Sequence, residues 1–248
     1  MSAVAQNQPV GASRFAGTLI DILDRVEYRR VQTDEQFDPV YKLRYEAYRR
    51  EGFVPISPGG MVRDEFDDLP NSFCYGIYID GQLVSSLRLH HLTRDDRTSP
   101  SHSVFTDVLD PILDRGETII DPGRFTADYE ASLAYPALPF LTLLIAVMAT
   151  WHFRVKYCLS SVRPEHAAFY RRVFNSSRLA EARYYHGVSF PMEMWACDCP
   201  VVYPNLLVRY PFFRSTPEER NRLFGPPHQS PLWVHPSVRA AQGSDVLV

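Results

Sequence analysis

The 248-residue chain has no excess of positive charge: 26 Lys and Arg face 29 Asp and Glu, for a net charge of -3. It therefore has no general electrostatic reason to bind nucleic acid. Its four cysteines, Cys74, Cys158, Cys197 and Cys199, form no paired CxxC units, so neither a structural zinc site nor any other bound metal is expected. Cys197 and Cys199 read as alternating strand positions rather than ligands. A long apolar run is missing too. Phe140 to Ala149 spans ten residues, where a membrane span needs about 20, so a buried helix and no transmembrane segment are expected. The first twenty residues lack the basic start and apolar core of a signal peptide. The expected location is the cytoplasm, with free thiols.

Proline, by contrast, is plentiful. Of 20 prolines, eight fall in the last 49 residues, and those residues read as mostly extended or loop-like. The division expected is an N-terminal tail with a short helix over 1–25, one folded domain over 26–199, and a Pro-rich extension over 200–248.

Within the domain, Val26 to Thr33 suits a strand. Asp34 to Glu51 carries Phe37, Val40, Tyr41, Tyr45 and Tyr48 at helical spacing and stops at Gly52. Phe73 to Ile79 and Leu83 to Leu89 flank Asp80-Gly81, the signature of a β-hairpin. On the returning strand Val84, Ser86, Arg88 and His90 share one face. Thr93 to Ser103 reads as a loop, and Val104 to Leu113 as a helix broken by Pro111. Glu117 to Asp121 is a strand meeting a bulge at Pro122-Gly123. A core helix over Leu138 to Phe153, a strand over Lys156 to Val162 and a helix over Pro164 to Phe174 follow. Two strands split at His186-Gly187 complete the pattern. A strand, a long helix and a strand in succession require a parallel pair within a mixed sheet.

Opposite charges gather beside aromatics in three segments: Arg44 within LRYEAY, Asp64 and Asp67 within DEFDD, and Asp121 to Phe125 within DPGRF. Arg88 adds a fourth site. Each has a plain structural explanation: an ion-paired helix arginine, a polar turn, or a half-exposed sheet. Together, LRYEAYRREGFV, RDEFDD, GQLVSSLRL, a Phe105-bearing segment and IIDPGRF resemble the acyl-homoserine lactone synthase group. They resemble still more the related bacterial N-acyl amino acid synthases. The resemblance covers about residues 26–196 and implies the α/β GNAT-like acyltransferase fold, a central mixed β-sheet flanked by helices. It also implies an enzyme moving a long-chain acyl group from an acyl carrier protein to the amine of an amino acid.

By position, Arg44, Asp64, Asp67, Arg88, Phe105, Asp121, Arg124 and Phe125 match the family pattern. Catalytic roles fall to Asp121, Arg124, Arg88 and Arg44, and substrate contacts to Asp64, Asp67, Phe105, Phe125, Gly123 and Tyr170. Val62 and Asp121 stand where the lactone synthases carry Glu, which favours a free amino acid over S-adenosylmethionine. The alternatives are a lactone-signal synthase, an ornithine-lipid-type acyltransferase and a non-catalytic binder of acyl carriers. The reaction needs a neutral amine near the carbonyl, a route for its proton and donors for the oxyanion. Asp121, or a water it holds, is the expected proton acceptor, and Arg88 or Arg124 the fork for a substrate carboxylate.

The GNAT resemblance adds one contrast. Where acetyl-CoA users of that fold carry a glycine-rich pyrophosphate loop, TADYEASLAYPALPF has no glycine. No cofactor is expected to stay bound, and the acyl-phosphopantetheine of acyl carrier protein is favoured over acyl-CoA as donor. Arg154, Lys156, Arg163, Arg171 and Arg172 are candidate contacts for that acidic carrier. Tyr170 is a candidate acid for the leaving thiol, with core packing as the plainer role. His90 and His91 read as strand-end histidines. Phe140, Leu143, Leu144, Val147 and Trp151 line either an acyl tunnel or ordinary core.

Overall fold

A computed structural model describes residues 14–185, 190–226 and 232–241. Helix α1 (Arg14–Ile20) buries Ala16, Leu19 and Ile20, then gives way to strand β1 (Val26–Val31). Helix α2 (Asp34–Arg50) starts where Gln36 Oε1 accepts the Gln32 and Thr33 amides at 2.9 and 3.4 Å, and ends before Gly52 at φ +74°. Strands β2 (Ser72–Ile79) and β3 (Gln82–Leu92) form the hairpin expected from Asp80-Gly81. Both turn residues have positive φ, +50° and +79°, as a type I′ turn demands.

The segment expected to be a loop before Phe105 contains helix α3 (Pro100–Val104). Ser99-Pro100 is a cap followed by proline at the first helical position; Ser99 Oγ accepts the His102 amide at 3.1 Å. Helix α4 (Thr106–Asp114) runs through Pro111. The carbonyl that Pro111 leaves without a donor belongs to Asp107, an exposed residue. Strand β4 (Ile119–Ala127) passes through Pro122 and Gly123 without a break. Its irregularity lies later: Ser86 pairs with Thr126 and Arg88 with Gly123, so Arg124 and Phe125 oppose Leu87 alone. Arg124 takes the strained residue's conformation, φ +52°. The bulge is thus centred on Arg124, not on Pro122-Gly123.

After α5 (Tyr129–Ala134), helix α6 (Leu138–Phe153) is buried nearly all round, as its uniform apolarity requires. Strand β5 (Tyr157–Val162) returns parallel to β4, and α7 (Ala167–Phe174) follows. Strands β6 (Ser177–Tyr184) and β7 (Pro191–Asp198) complete this side of the sheet. The His186-Gly187 turn lies outside the described residues.

Among the described residues, the Pro-rich C-terminal stretch is largely helical rather than extended. It forms α8 (Cys199–Arg209), α9 (Pro217–Phe224), the short strand β8 (Trp233–Val234) and α10 (Val238–Ala241). Pro200 and Pro217 stand in the first turn of their helices, where a missing N–H costs nothing. Phe212 and Phe213 are fully buried in the same core as α6 and α1, so this segment completes the fold rather than hanging from it.

The sheet order is β6-β7-β5-β4-β3-β2-β1-β8, antiparallel except at β4 and β5. One face packs on α1, α6 and the C-terminal helices. A smaller core joins Leu92 and Ile119 to Leu109 and Leu113 of α4. Strands β4 and β5 pair only at Ile119–Tyr157 and Ile120–Cys158. From Asp121 onward that edge of β4 has no strand partner among the described residues.

Candidate active site

A row of alternating charge crosses the sheet face beneath α2. Arg44 on α2 is fully buried, and its Nη1 donates to Asp67 Oδ1 at 2.8 Å. Arg88 Nη1 on β3 lies 2.9 Å from the same oxygen and 2.5 Å from Asp64 Oδ1. Arg124 donates from Nε to Asp64 Oδ2 at 3.0 Å and from Nη2 to the same atom. The row therefore reads Arg44, Asp67, Arg88, Asp64, Arg124: three guanidinium groups on two carboxylates, with one positive charge left over.

The local sequence explains the placement. Asp64 caps a single 3-10 turn, Glu65–Asp67, accepting the Phe66 amide at 3.0 Å, while Asp67 Oδ2 accepts the Asp64 amide at 3.0 Å. This reciprocal cap fixes both carboxylates: Asp67 keeps Oδ1 for Arg44 and Arg88, and Asp64 Oδ1 takes Arg88 as well as the Phe66 amide. Burial opposes their ionisation, but Arg88 and Arg124 hold the Asp64 carboxyl well below the usual carboxylate range. Arg44 and Arg88 lower the Asp67 carboxyl against its own burial. The bulge turns Arg124 toward Asp64.

Exposure separates the arginines. The side chains of Arg44 and Arg88 are 0% and 1% exposed, whereas Arg124 is 26% exposed and lies over the Tyr48 ring at 5.5 Å. Arg124 is the exposed end of the row.

Asp121 stands apart from this row. Its Oδ1 accepts Ser101 Oγ–H at 2.7 Å and its Oδ2 accepts the Ser101 amide at 3.3 Å. Ser101 Oγ in turn meets Ser161 Oγ at 2.9 Å and accepts Tyr185 Oη–H at 3.1 Å. Sequence reasoning missed Ser101, Ser161 and Tyr185, which come from a supposed loop, a strand end and the residue after β6. Asp121 does share its sheet face with Arg88, because it pairs across the ladder with His90 and Gly123 pairs with Arg88. A Cβ built on Gly123 finds no atom within 4 Å. Open space therefore lies on the Arg88 face, beside the parting of β4 and β5.

The remaining predicted residues fall around this centre. Phe105 is fully buried in the smaller core, its ring 5.9 Å from that of Tyr185. Phe125 packs against the larger core on the opposite face. Tyr170 of α7 lies beside Cys158, next to the point where β5 leaves β4; burial and that thiol raise its phenol. Leu143, Leu144 and Val147 are core residues, while Trp151 is 36% exposed. Among the described residues no group of three or more His, Cys, Asp or Glu is disposed to hold a metal ion. No helix among them is long and apolar enough to cross a membrane.

Comparison with known proteins agrees with this fold. The family of the N-acyl amino acid synthase FeeM matches residues 39–198. The structure of FeeM, an N-acyl amino acid synthase from uncultured soil microbes, superposes with a TM-score of 0.60 at 16% identity, over 76% of this chain and 98% of that one. The acyl-homoserine lactone synthase LasI gives 0.54 at 15% identity, over 72% and 94%. TofI, in a ternary complex with an inhibitor and MTA, gives 0.55 at 16%, over 75% and 98%. No curated protein matches the chain.

Proposed function

The chain belongs to the N-acyl amino acid synthase family and is an acyltransferase, and we propose that it moves a long-chain acyl group from an acyl carrier protein thioester to the amine of an amino acid. The observation that carries this reading is the surplus positive charge of the Arg44–Arg124 row, ending at a partly open guanidinium beside open space. A planar guanidinium with two N–H groups on one edge suits a carboxylate. Asp64 holds Arg124 from behind, so the fork is ordered before substrate arrives. An amino acid anchored there by its carboxylate places its amine over the Gly123 space.

The donor enters where β4 and β5 part. Unpaired backbone groups of β4 beyond Ile120 suit the amides of a pantetheine arm, in the manner of an added strand. The start of α6 supports a carrier-protein donor. Leu138 N–H is given to the Tyr135 carbonyl, Pro139 has none, and the Phe140 and Leu141 N–H groups go to Ala137. The amides of this first turn are thus committed within the chain and offer little to cradle a coenzyme A pyrophosphate.

The carrier's docking face narrows from the five cations expected. Lys156 is paired with Asp198 at 2.6 Å and Arg163 with Glu165 at 3.1 Å. Arg154, Arg171 and Arg172 are exposed and, among the described residues, carry no ion pair. Arg209 lies beside them, its Nη1 3.4 Å from the Arg172 carbonyl. An acidic carrier docked on Arg171 and Arg172 of α7 would bring its thioester near Tyr170 of the same helix. The Tyr170 phenol, kept protonated by burial, can supply the proton that the leaving thiolate takes up.

The test is thiol release from acyl-loaded carrier protein with a mixture of amino acids. Release that depends on the amino acids supports the reading. Tight binding with no release would instead mark a protein that senses acyl carriers.

A further inference from the structure

We infer that His90 is the residue that takes the amine proton during acyl transfer, an assignment that rests on the function proposed above. His90 follows Arg88 by two residues on β3 and shares its face. It is 1% exposed. Its Nε2 lies 3.0 Å from the Phe66 carbonyl. A carbonyl oxygen can only accept, so Nε2 carries the proton and Nδ1 presents a bare lone pair. Among the described residues no group bonds that buried Nδ1, and the buried Nε–H of Arg88 likewise lacks an acceptor. An unused acceptor and an unused donor thus stand two residues apart on the sheet face that carries Gly123, which pairs with Arg88 and has open space where a side chain would be. That pairing fits an incoming group that both donates and accepts, as an amine adding to a thioester carbonyl does.

The alternative base is already engaged. Both oxygens of Asp121 are held by Ser101, whereas the Asp121 carboxylate faces His90 from the opposing strand position. The groups facing the ring are Arg88 on its own strand, Asp64 and the Phe66 carbonyl on the 3-10 turn, and Asp121 on β4. Burial and Arg88 keep the ring neutral, ready to accept, while Asp121 and Asp64 favour the imidazolium once it forms.

The step balances without another reactant. The neutral amine's lone pair forms the C–N bond as the carbonyl π pair moves to oxygen. The resulting ammonium passes one proton to Nδ1. The oxyanion then re-forms the carbonyl as the C–S bond breaks. The thiolate takes up one proton, from Tyr170, and the imidazolium's proton makes good that loss, so the proton taken from the amine ends on the thiol and both side chains return to their starting state.

The test compares wild type with H90Q, whose amide can still donate to Phe66. Turnover should drop by about two orders of magnitude or more, the size of a lost general base. KM for the amino acid should stay within about threefold, and the acidic limb of the kcat–pH profile should disappear. In 15N-histidine NMR of the wild type, His90 should show a pyridine-type Nδ1 whose signal moves when N-acyl amino acid is added. This second readout decides the matter if H90Q does not fold. Turnover within about threefold of wild type in folded H90Q, or a protonated Nδ1, overturns the assignment and leaves acyl transfer standing. A wild type that releases no thiol from any acyl carrier overturns the functional reading, and the base assignment with it.

Discussion

Arg88 and Asp64 meet through two hydrogen bonds, 2.5 and 3.3 Å, that tie the middle of the sheet to a turn 24 residues earlier in the chain. Because Asp64 also holds Arg124, this pair sets the position of the most exposed guanidinium of the row. A buried ion pair of this kind contributes little net stability by itself, but removing one partner strands the other.

Loss of Asp67 tests that asymmetry where burial is complete. Asp67→Ala leaves Arg44 and Arg88 without their shared carboxylate and is expected to cost about 3–5 kcal/mol in urea unfolding. The double variant Arg44→Met with Asp67→Leu should recover most of that loss. A double variant no more stable than the single one would contradict the account.

Gly123 gives a cleaner separation of fold from function. Its φ is not left-handed, and a methyl group there meets nothing. Gly123→Ala should therefore stay within about 1 kcal/mol of wild-type stability, while Gly123→Val raises KM for the amino acid by filling the space. Unchanged KM in a folded Gly123→Val protein would place the acceptor elsewhere.

Carrier docking predicts a split between donors. Reversing Arg171 and Arg172 to Glu should raise KM for acyl carrier protein about tenfold or more, and more steeply at low salt. KM for a short acyl-pantetheine thioester should not change. Equal effects on both donors would contradict a docking role.

Acidification should weaken the fold in two stages. Burial lowers the affinity of His90, His91 and His152 for protons in the folded state. The unfolded chain therefore takes up more protons below about pH 6.5, and stability falls from there downward. Asp64 and Asp67 are depressed instead, so their contribution is complete above about pH 4 and lost as pH drops through their lower folded values. Urea midpoints at pH 7, 6, 5 and 4 check this; a flat profile from 7 to 5 contradicts it.

Much of the site was legible because its charges are local. Arg44, Asp64, Asp67 and Arg88 lie in short segments whose spacing the sequence displays, and the structure joins them in one row. Arg124 was legible as a residue, but its left-handed backbone was not, since positive φ is normally signalled by Gly or Asn. The Asp121 network was hidden because Ser101 and Tyr185 lie 84 residues apart and are joined only by tertiary packing. His90 reads in sequence as a strand-end residue; its alternation with Arg88 was the available signal. The C-terminal helices were obscured by proline, whose count says nothing of position. Pro200 and Pro217 begin helices rather than break them.

The most direct measurement is mass spectrometry of lipid extracts from cells expressing the protein, beside cells expressing Arg124→Ala at equal level. The account predicts a new series of N-acyl amino acids in the first and its loss in the second, naming acceptor and chain lengths together. A series that persists undiminished in a folded Arg124→Ala protein would contradict the role given to the charged row.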